Sequence, residues 1–371
     1  MEKLRNYTSC VDDRISVKVP TFIISSKFKT SNEYLKYLVF KGAHLRYGQI
    51  LDKAIIARLD NELKTIEEIG LSDYFLIVAD CVRYAHEQDA MIDADISLSS
   101  GSVVVYCLGI TSIDPIKNGL LFERFIGLCY NSTYLPHIIV NIDSFHKEAI
   151  LRYASDKYGD SNLLQQFKWD DRTIRLFSVI HRTVSNIKKS FGIDLDIYSI
   201  PLDDNETLKS LLIENVKNKT FNMLLLTNTI NEPIYPELIR ATALQGEHKD
   251  YHNIPQIADY LNETHGLILF QEQVMWLSQL LAGFTPEESD QLRRNLGKKH
   301  YENLKRFRDK FIEQTTKCGY EETAMENLWE KFNSYLRLSK IAMLSYTLLE
   351  YRAAYLKIHY PTEYERGESN S

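Results

Sequence analysis

The sequence predicts a predominantly helical α+β protein. Glycine and proline are scarce, at 15 and 9 of 371 residues, below the usual ~7% and ~5%, which leaves few positions for unusual backbone angles. Apolar residues recur mostly at helical spacing behind capping residues. One segment departs from this pattern: HIIVNID (His137 to Asp143) is a continuous β-branched run ending in polar residues, and it reads as a buried strand.

Residues 1–29 show no period and read as an irregular lead-in. Thr30 to Glu33 has the form of a capping box and opens a helix through KYLVFKGAHLRYG. Ile55, Ile56, Leu59, Leu63, Ile66 and Ile69 mark a second helix, with Gly70 as its left-handed stop. Tyr74 to Gln88 is a third, and Lys147 to Tyr158 a fourth, closed by Gly159. Asp170 and Asp171 can cap the next, in which Ile174, Phe177, Val184 and Ile187 recur up to Gly192. Asp203 to Glu206 is an acidic cap. Thr285-Pro286-Glu287-Glu288 is a strong start signal with proline at the first helical position, and long helices run from there towards His359. The last residues, 365–371, read as a frayed tail.

At 43.2 kDa there is room for two or three domains. Hydrophobic residues at 44% and charged residues at 25% are ordinary for a soluble globular protein, and no apolar run approaches the roughly 20 residues of a membrane helix. MEKLRNYTSCVDDR lacks the apolar core of a signal peptide. The five cysteines are scattered and without metal-ligand spacing, which fits a reducing cytoplasm. A net charge of −6 argues against tight DNA binding by the molecule as a whole. Charge is uneven, however: Arg293, Arg294, Lys298, Lys299, Lys305, Arg306, Arg308 and Lys310 form a local basic stretch. No G-x-S-x-G, H-E-x-x-H or C-x-x-C motif occurs, and His137, His146 and His181 are isolated, which makes surface or core roles their default.

Two long ordered strings carry a resemblance. DYFLIVADCVRYAHEQ (Asp73 to Gln88), leading on to GSVVVYCLGITSIDPIKNGLLFERFI (Gly101 to Ile126), resembles the palm of bacterial DNA polymerase III alpha, the C-family replicative polymerase. HGLILFQEQVMWLSQLLAGFTPEESDQLRRNLGKKH (His265 to His300) resembles its fingers, and EYRAAYLKIHYPTEY (Glu350 to Tyr364) resembles the family's segment C-terminal to the fingers. The resemblance covers roughly residues 20 to 364 in the family's order. It implies a small nucleotidyltransferase-like palm sheet with helices over 30–192 and a helical fingers-like domain over 193–364. Thumb, PHP (phosphoesterase-like) and OB domains are expected to be absent.

In such a polymerase two Mg²⁺ ions activate the primer hydroxyl and steady the triphosphate, and several carboxylates converge to hold them. LPHIIVNIDSF (Leu135 to Phe145) stands where the family reads roughly P-D-F-D-I-D-F, shifted by about two residues. Asp143 then matches the second carboxylate, and Asn141 occupies the first, where an amide offers a hard cation only one neutral oxygen. FKWD (Phe167 to Asp170) nominates Asp170 as the third. The resemblance thus implies Asp143 and Asp170 as catalytic metal ligands; the alternative reading is that each ends an element and caps a helix.

Of the family's glycine-rich nucleotide loop only Gly101 and Ser102 remain, with Asp93 and Asp95 in place of glycines and Ile96 in place of an arginine. The competing reading is a packing loop with a helix cap at Ser99 or Ser100. Arg293 and Arg294 are sensible anion contacts, joined by Lys298, Lys299 and Lys340, against the reading of a solvated helix face. Val274 and Met275 read as core, and Gln271, Glu272 and Gln273 as residues that fix helix packing. Leu76, Ile77, Val78, Leu108, Leu121, Phe122, Phe125, Leu280 and Tyr355 match as core while charged positions differ.

The expectation is therefore a degenerate, bacterial, cytoplasmic relative. Its inherited activity is DNA-directed DNA synthesis on a DNA primer-template with dNTP, weak or lost in this copy, with DNA binding retained. The alternative is a non-enzymatic interaction module of a replication assembly, with replication proteins as partners.

Overall fold

Thr30 accepts the Glu33 amide on its hydroxyl at 3.2 Å and starts helix α1 (Ser31–Tyr47). The Glu33 carboxylate turns to the Lys29 amide, at 2.9 Å, so half of the expected capping box forms. The computed structural model describes residues 19–24, 26–126, 135–159, 171–212, 219–230, 254–335 and 338–369. Asp52 caps α2 (Lys53–Glu68), which buries Leu59, Leu63 and Ile66 and stops before Gly70 at φ +70°. Helix α3 (Ser72–Glu87) comes next and buries Tyr74 through Val78. Helix α1 crosses the short α4 (Val103–Cys107) at Gly42, where a Cβ would sit 1.8 Å from the Cys107 carbonyl oxygen, so only glycine permits the crossing.

The strand expected over His137 to Asp143 contracts to β2 (Asn141–Ile142). It pairs antiparallel with β1 (Ile92–Asp93) in the register Ile92 with Ile142 and Asp93 with Asn141. The rest of the run is extended but finds side-chain partners in place of a ladder. Ser97 Oγ donates to His137 O at 3.0 Å and accepts from Ile139 N at 3.2 Å, and Tyr74 Oη donates to Pro136 O at 2.8 Å. A β-branched run specifies an extended backbone and burial, and the available partner sets how much becomes sheet. Asp143 then caps α5 (Ser144–Tyr158), which ends at Gly159 with φ +78°. These elements enclose the first core.

A second core gathers α6 (Asp171–Phe191), α7 (Asn205–Leu211), α8 (Phe221–Ile230), α14 (Lys340–His359) and α15 (Pro361–Ser369). Helix α6 thus packs with α14 and α15, far away in sequence, and the tail expected over 365–371 is helical through Ser369. Gly367 makes this fit possible, because a Cβ there would lie 2.7 Å from Thr183 Oγ1 and 3.1 Å from Val179 O.

The third core joins α9 (Pro255–Tyr260), α10 (Gln271–Ala282), α11 (Pro286–Lys298), α12 (Tyr301–Lys317) and α13 (Glu322–Tyr335) around Trp329, Phe311 and Phe332. Thr285 and Glu288 make the full capping box expected for α11. Leu280, expected in the core, is 39% exposed on α10, while Val274 and Met275 are fully buried.

Candidate functional site

The two-stranded palm sheet, whose strands lie some fifty residues apart in sequence, brings Asp143, Asn141 and Asp93 together, and each is already bonded. Asp143 Oδ1 accepts the His146 amide at 2.9 Å, Oδ2 accepts the Met91 amide at 2.8 Å, and the His146 ring Nδ1 lies 2.8 Å from Oδ2. Burial alone would raise this carboxyl, but the His146 amide and ring and the Met91 amide outweigh it and hold it below its ordinary value. Asn141 bonds to the side chain of Asp93, its partner across the sheet. Asp93 also accepts the Asp95 amide at 3.0 Å. Burial first, and then the neighbouring Asp95 charge, push Asp93 up to about 7. An aspartate at 141 would add a further negative charge to this enclosed group, and an amide does not.

Asp95 faces a cation from the C-terminal part of the chain. Its carboxylate takes the Ser112 amide at 2.6 Å and the Ser112 hydroxyl, and Arg352 Nη1 of α14 lies 3.8 Å away. The Arg352 guanidinium stacks over Tyr198 at 4.7 Å, and Ser345 donates to the Asp95 carbonyl at 2.6 Å. Of the two acids that replace glycines, Asp95 therefore fastens the loop after β1 to α14, while Asp93 bonds across the sheet to Asn141.

Gly101 and Ser102 are buried, and their polar groups have internal partners. Ser102 Oγ donates to Glu62 Oε2 at 2.7 Å and accepts from Val105 N, the Val104 amide reaches the same Glu62 oxygen at 3.2 Å, and Arg58 binds the Gly101 carbonyl at 2.9 Å. The cap of α4 is Ser102, not Ser99 or Ser100, and Ser97 caps the 3₁₀ turn Leu98–Gly101 before it. Burial raises Glu62, and the Arg58 charge opposes that rise. Glu62 thus fills, from within, the place at the start of α4 that the loop reading gives to an external anion.

For a pair of Mg²⁺ ions the described residues do not fit. Asp143 has both oxygens engaged, Asn141 is neutral, and Asp93 and Asp95 are committed inside the fold. Among the described residues no group of three or more His, Cys, Asp or Glu side chains is arranged to hold a metal ion. Asp170 lies outside the described residues.

The fingers-like side divides into anchored and free cations. Arg293 Nε lies 2.8 Å and Arg294 Nε 2.6 Å from the two oxygens of buried Asp290, and Arg293 Nη1 donates to Gln271 at 3.3 Å. Burial, then the charge of Arg124, lower Arg293 to about 10. Lys340 is buried, with Nζ 2.6 Å from Glu263. Its amide donates to Glu272 Oε2 at 3.0 Å, and the other Glu272 oxygen meets Ser339 at 2.9 Å and Arg124 at 3.4 Å. The packing role expected for Glu272 and Gln273 is clear here, since Gln273 Oε1 accepts the Leu269 and Phe270 amides. Lys298 and Lys299 are exposed at the end of α11, near Lys305 and Arg306 on α12, and these four make no ion pair among the described residues.

Glu62, Arg124, Asp290 and Arg352 are functional neighbours that the sequence does not single out. Glu62 carries a signal, being an acid within the apolar period of α2 four residues after Arg58. Arg352 carries none, because its partner lies over 250 positions away.

The comparisons with known proteins agree with this layout. Residues 33–220 match the model of the bacterial DNA polymerase III alpha NTPase domain and residues 212–319 that of the alpha subunit finger domain, which together define a polymerase-type NTPase and finger pair. The chain belongs to the bacterial DNA polymerase III alpha family. It is 25% identical to DNA polymerase III subunit alpha of Aquifex aeolicus over 508 residues, covering 91% of this chain and 43% of that protein. The Staphylococcus epidermidis subunit is 24% identical over 484 residues, with 92% and 45% covered, and the Halalkalibacterium halodurans subunit 23% over 488, with 91% and 43% covered. The chain spans less than half the length of these relatives, and each alignment is longer than the chain itself. Among the described residues no helix is long and apolar enough to cross a membrane.

Proposed function

We propose that this chain is a palm-and-fingers relative of polymerase III alpha that binds DNA through the cations of α11 and α12 while its nucleotidyl-transfer site is weak or inactive. In this reading residues 30–192 are palm-like, residues 193–364 are fingers-like, and the protein works on DNA in the cytoplasm. The observation that carries it is the bonding of Asp143, whose two oxygens serve the Met91 and His146 amides. A carboxylate so used has little left for two divalent ions, and Asn141 beside it brings no charge. Gly101 and Ser102 shape the loop, and Lys340 is held by Glu263. Lys298 and Lys299 remain for phosphate contact, and Arg294, 60% exposed, can share it.

Two measurements test this. Primer extension with Mg²⁺ and all four nucleotides is expected to give no templated product; a product abolished by Asp143→Ala overturns the loss of catalysis. Affinity for primer-template DNA is expected to fall steeply with salt, and replacing Lys298 and Lys299 by alanine should reduce that slope by about 2.

A further inference from the structure

Helix α1 carries apolar residues on two faces. Leu35, Val39 and Ala43 lie in the first core, while Tyr37 is 50% and Leu45 79% exposed on the other side. Lys36, Tyr37, Phe40, Lys41 and His44 line a shallow open cleft of about 410 Å³ there. The Phe28 ring extends its aromatic wall, 5.0 Å from Tyr34 and 5.1 Å from Tyr37.

Positive charge surrounds the rings. Lys27, Lys29 and Lys41 are exposed around them, and Lys36 lies 5.6 Å from the Phe40 ring. The nearby acids are engaged: Asp60 pairs with Lys36 at 3.2 Å, and Glu33 takes the Lys29 amide. The face is thus cationic and aromatic at once.

We propose that this face of α1 is a docking surface for single-stranded DNA, with exposed Tyr37 and the half-buried rings beside it receiving bases and the flanking lysines receiving phosphates. Lys36 and Lys41 flank the rings of Tyr37 and Phe40, with His44 beyond them, along a stripe that advances about 5.4 Å per helical turn. A single strand likewise carries bases beside phosphates, and every base has a face that stacks on an aromatic ring whatever the sequence. An acidic peptide would satisfy the charge, but an α-helical face has no free backbone groups to pair with an extended peptide. Charge complementarity together with the neighbouring rings therefore selects the nucleic acid. The inference extends the DNA-binding reading to a second contact, made by the N-terminal part of the chain.

The test uses the full chain, a labelled oligothymidylate and a labelled duplex, with anisotropy read at several salt concentrations. Tyr37→Ala is expected to weaken oligothymidylate binding by about fivefold or more, and Tyr37→Phe to restore it. Lys41→Ala should lower the single-strand salt slope by about 0.7. Duplex affinity should stay within about twofold for these variants, and an oligonucleotide carrying photoreactive uracil should crosslink within α1. Unchanged oligothymidylate affinity in both Tyr37→Ala and Lys41→Ala overturns the proposal. So does a concentration-dependent dimer broken by Leu45→Glu without effect on the oligonucleotide, which would assign the face to a second copy. Weakening by the Lys298 and Lys299 variants alone removes this inference and leaves the fingers reading intact. Weakening by the α1 variants alone does the reverse, and no binding of either DNA removes both.

Discussion

The palm sheet and the α11–α12 face hold comparable numbers of charged groups and use them in opposite ways. At the sheet Asp93, Asp95 and Asp143 are buried and bonded to amides, hydroxyls, Asn141 and Arg352. On the fingers-like side Lys298, Lys299, Lys305 and Arg306 project into solvent without an ion pair among the described residues. A buried charge with a full set of partners belongs to the fold, because removing a partner strands it in a medium that solvates it poorly. An exposed unpaired lysine contributes little to stability and remains available to a polyanion. The number of charges in a region therefore says less about function than where each charge has gone.

Substitutions can break this contrast, and the largest effect on stability is expected at the junction of the two regions. Glu272→Ala removes the shared partner of Arg124, Ser339 and the Lys340 amide, and should cost about 3–5 kcal/mol in urea denaturation. A loss below about 1 kcal/mol would mean that this carboxylate is not structural.

A pH profile comes next. Asp93 is raised to about 7 from an ordinary value of 3.8, so the folded state binds a proton that the unfolded chain releases. Its contribution is full below about pH 4 and is lost as pH rises through about 7, roughly 3 kcal/mol over that window. Asp93→Asn should flatten the difference; an unaltered slope would place the titration elsewhere.

Gly101→Ala is expected to cost about 1–3 kcal/mol, because its Cβ would lie 2.7 Å from the Leu121 carbonyl oxygen. Its effect should appear in unfolding rather than in ligand affinity. Asp143→Ala should cost about 1 kcal/mol through loss of the α5 cap, and leave DNA affinity unchanged. The smallest stability change, within about 0.5 kcal/mol, is expected for Lys298→Ala with Lys299→Ala, where DNA affinity should instead fall.

Much of the helical layout is legible in the sequence because its signals are local. Thr30, Gly70, Gly159, Thr285 and Gly192 mark helix ends where the structure has them. The strand is shorter than its sequence suggests, since a β-branched run cannot state how long its partner will be, and β1 has only two residues. Leu280 lies outside the expected core because its apolar character does not reveal that its side of α10 faces outward. For the site, the sequence exposes the missing carboxylate at Asn141 and the acids at Asp93 and Asp95, but not their destination. Arg352 meets the loop through a tertiary contact with no signature in sequence spacing, and the spacing of Glu62 from Arg58 does not reveal that Glu62 will meet the Ser102 hydroxyl.

The docking of α15 on α6 around Gly367 has a consequence for synthesis. Residues 19–159 contain every element of the first core, so that core can assemble while the remainder is still being translated. The second core needs α6 and α15 together, and α6, which ends at Phe191, must wait until Pro361 before this partner begins to emerge. Ribosome-stalled chains ending before Pro361 should be cleaved by protease within 171–191 while 31–126 resists; equal resistance in both segments would show that α6 is held by other contacts.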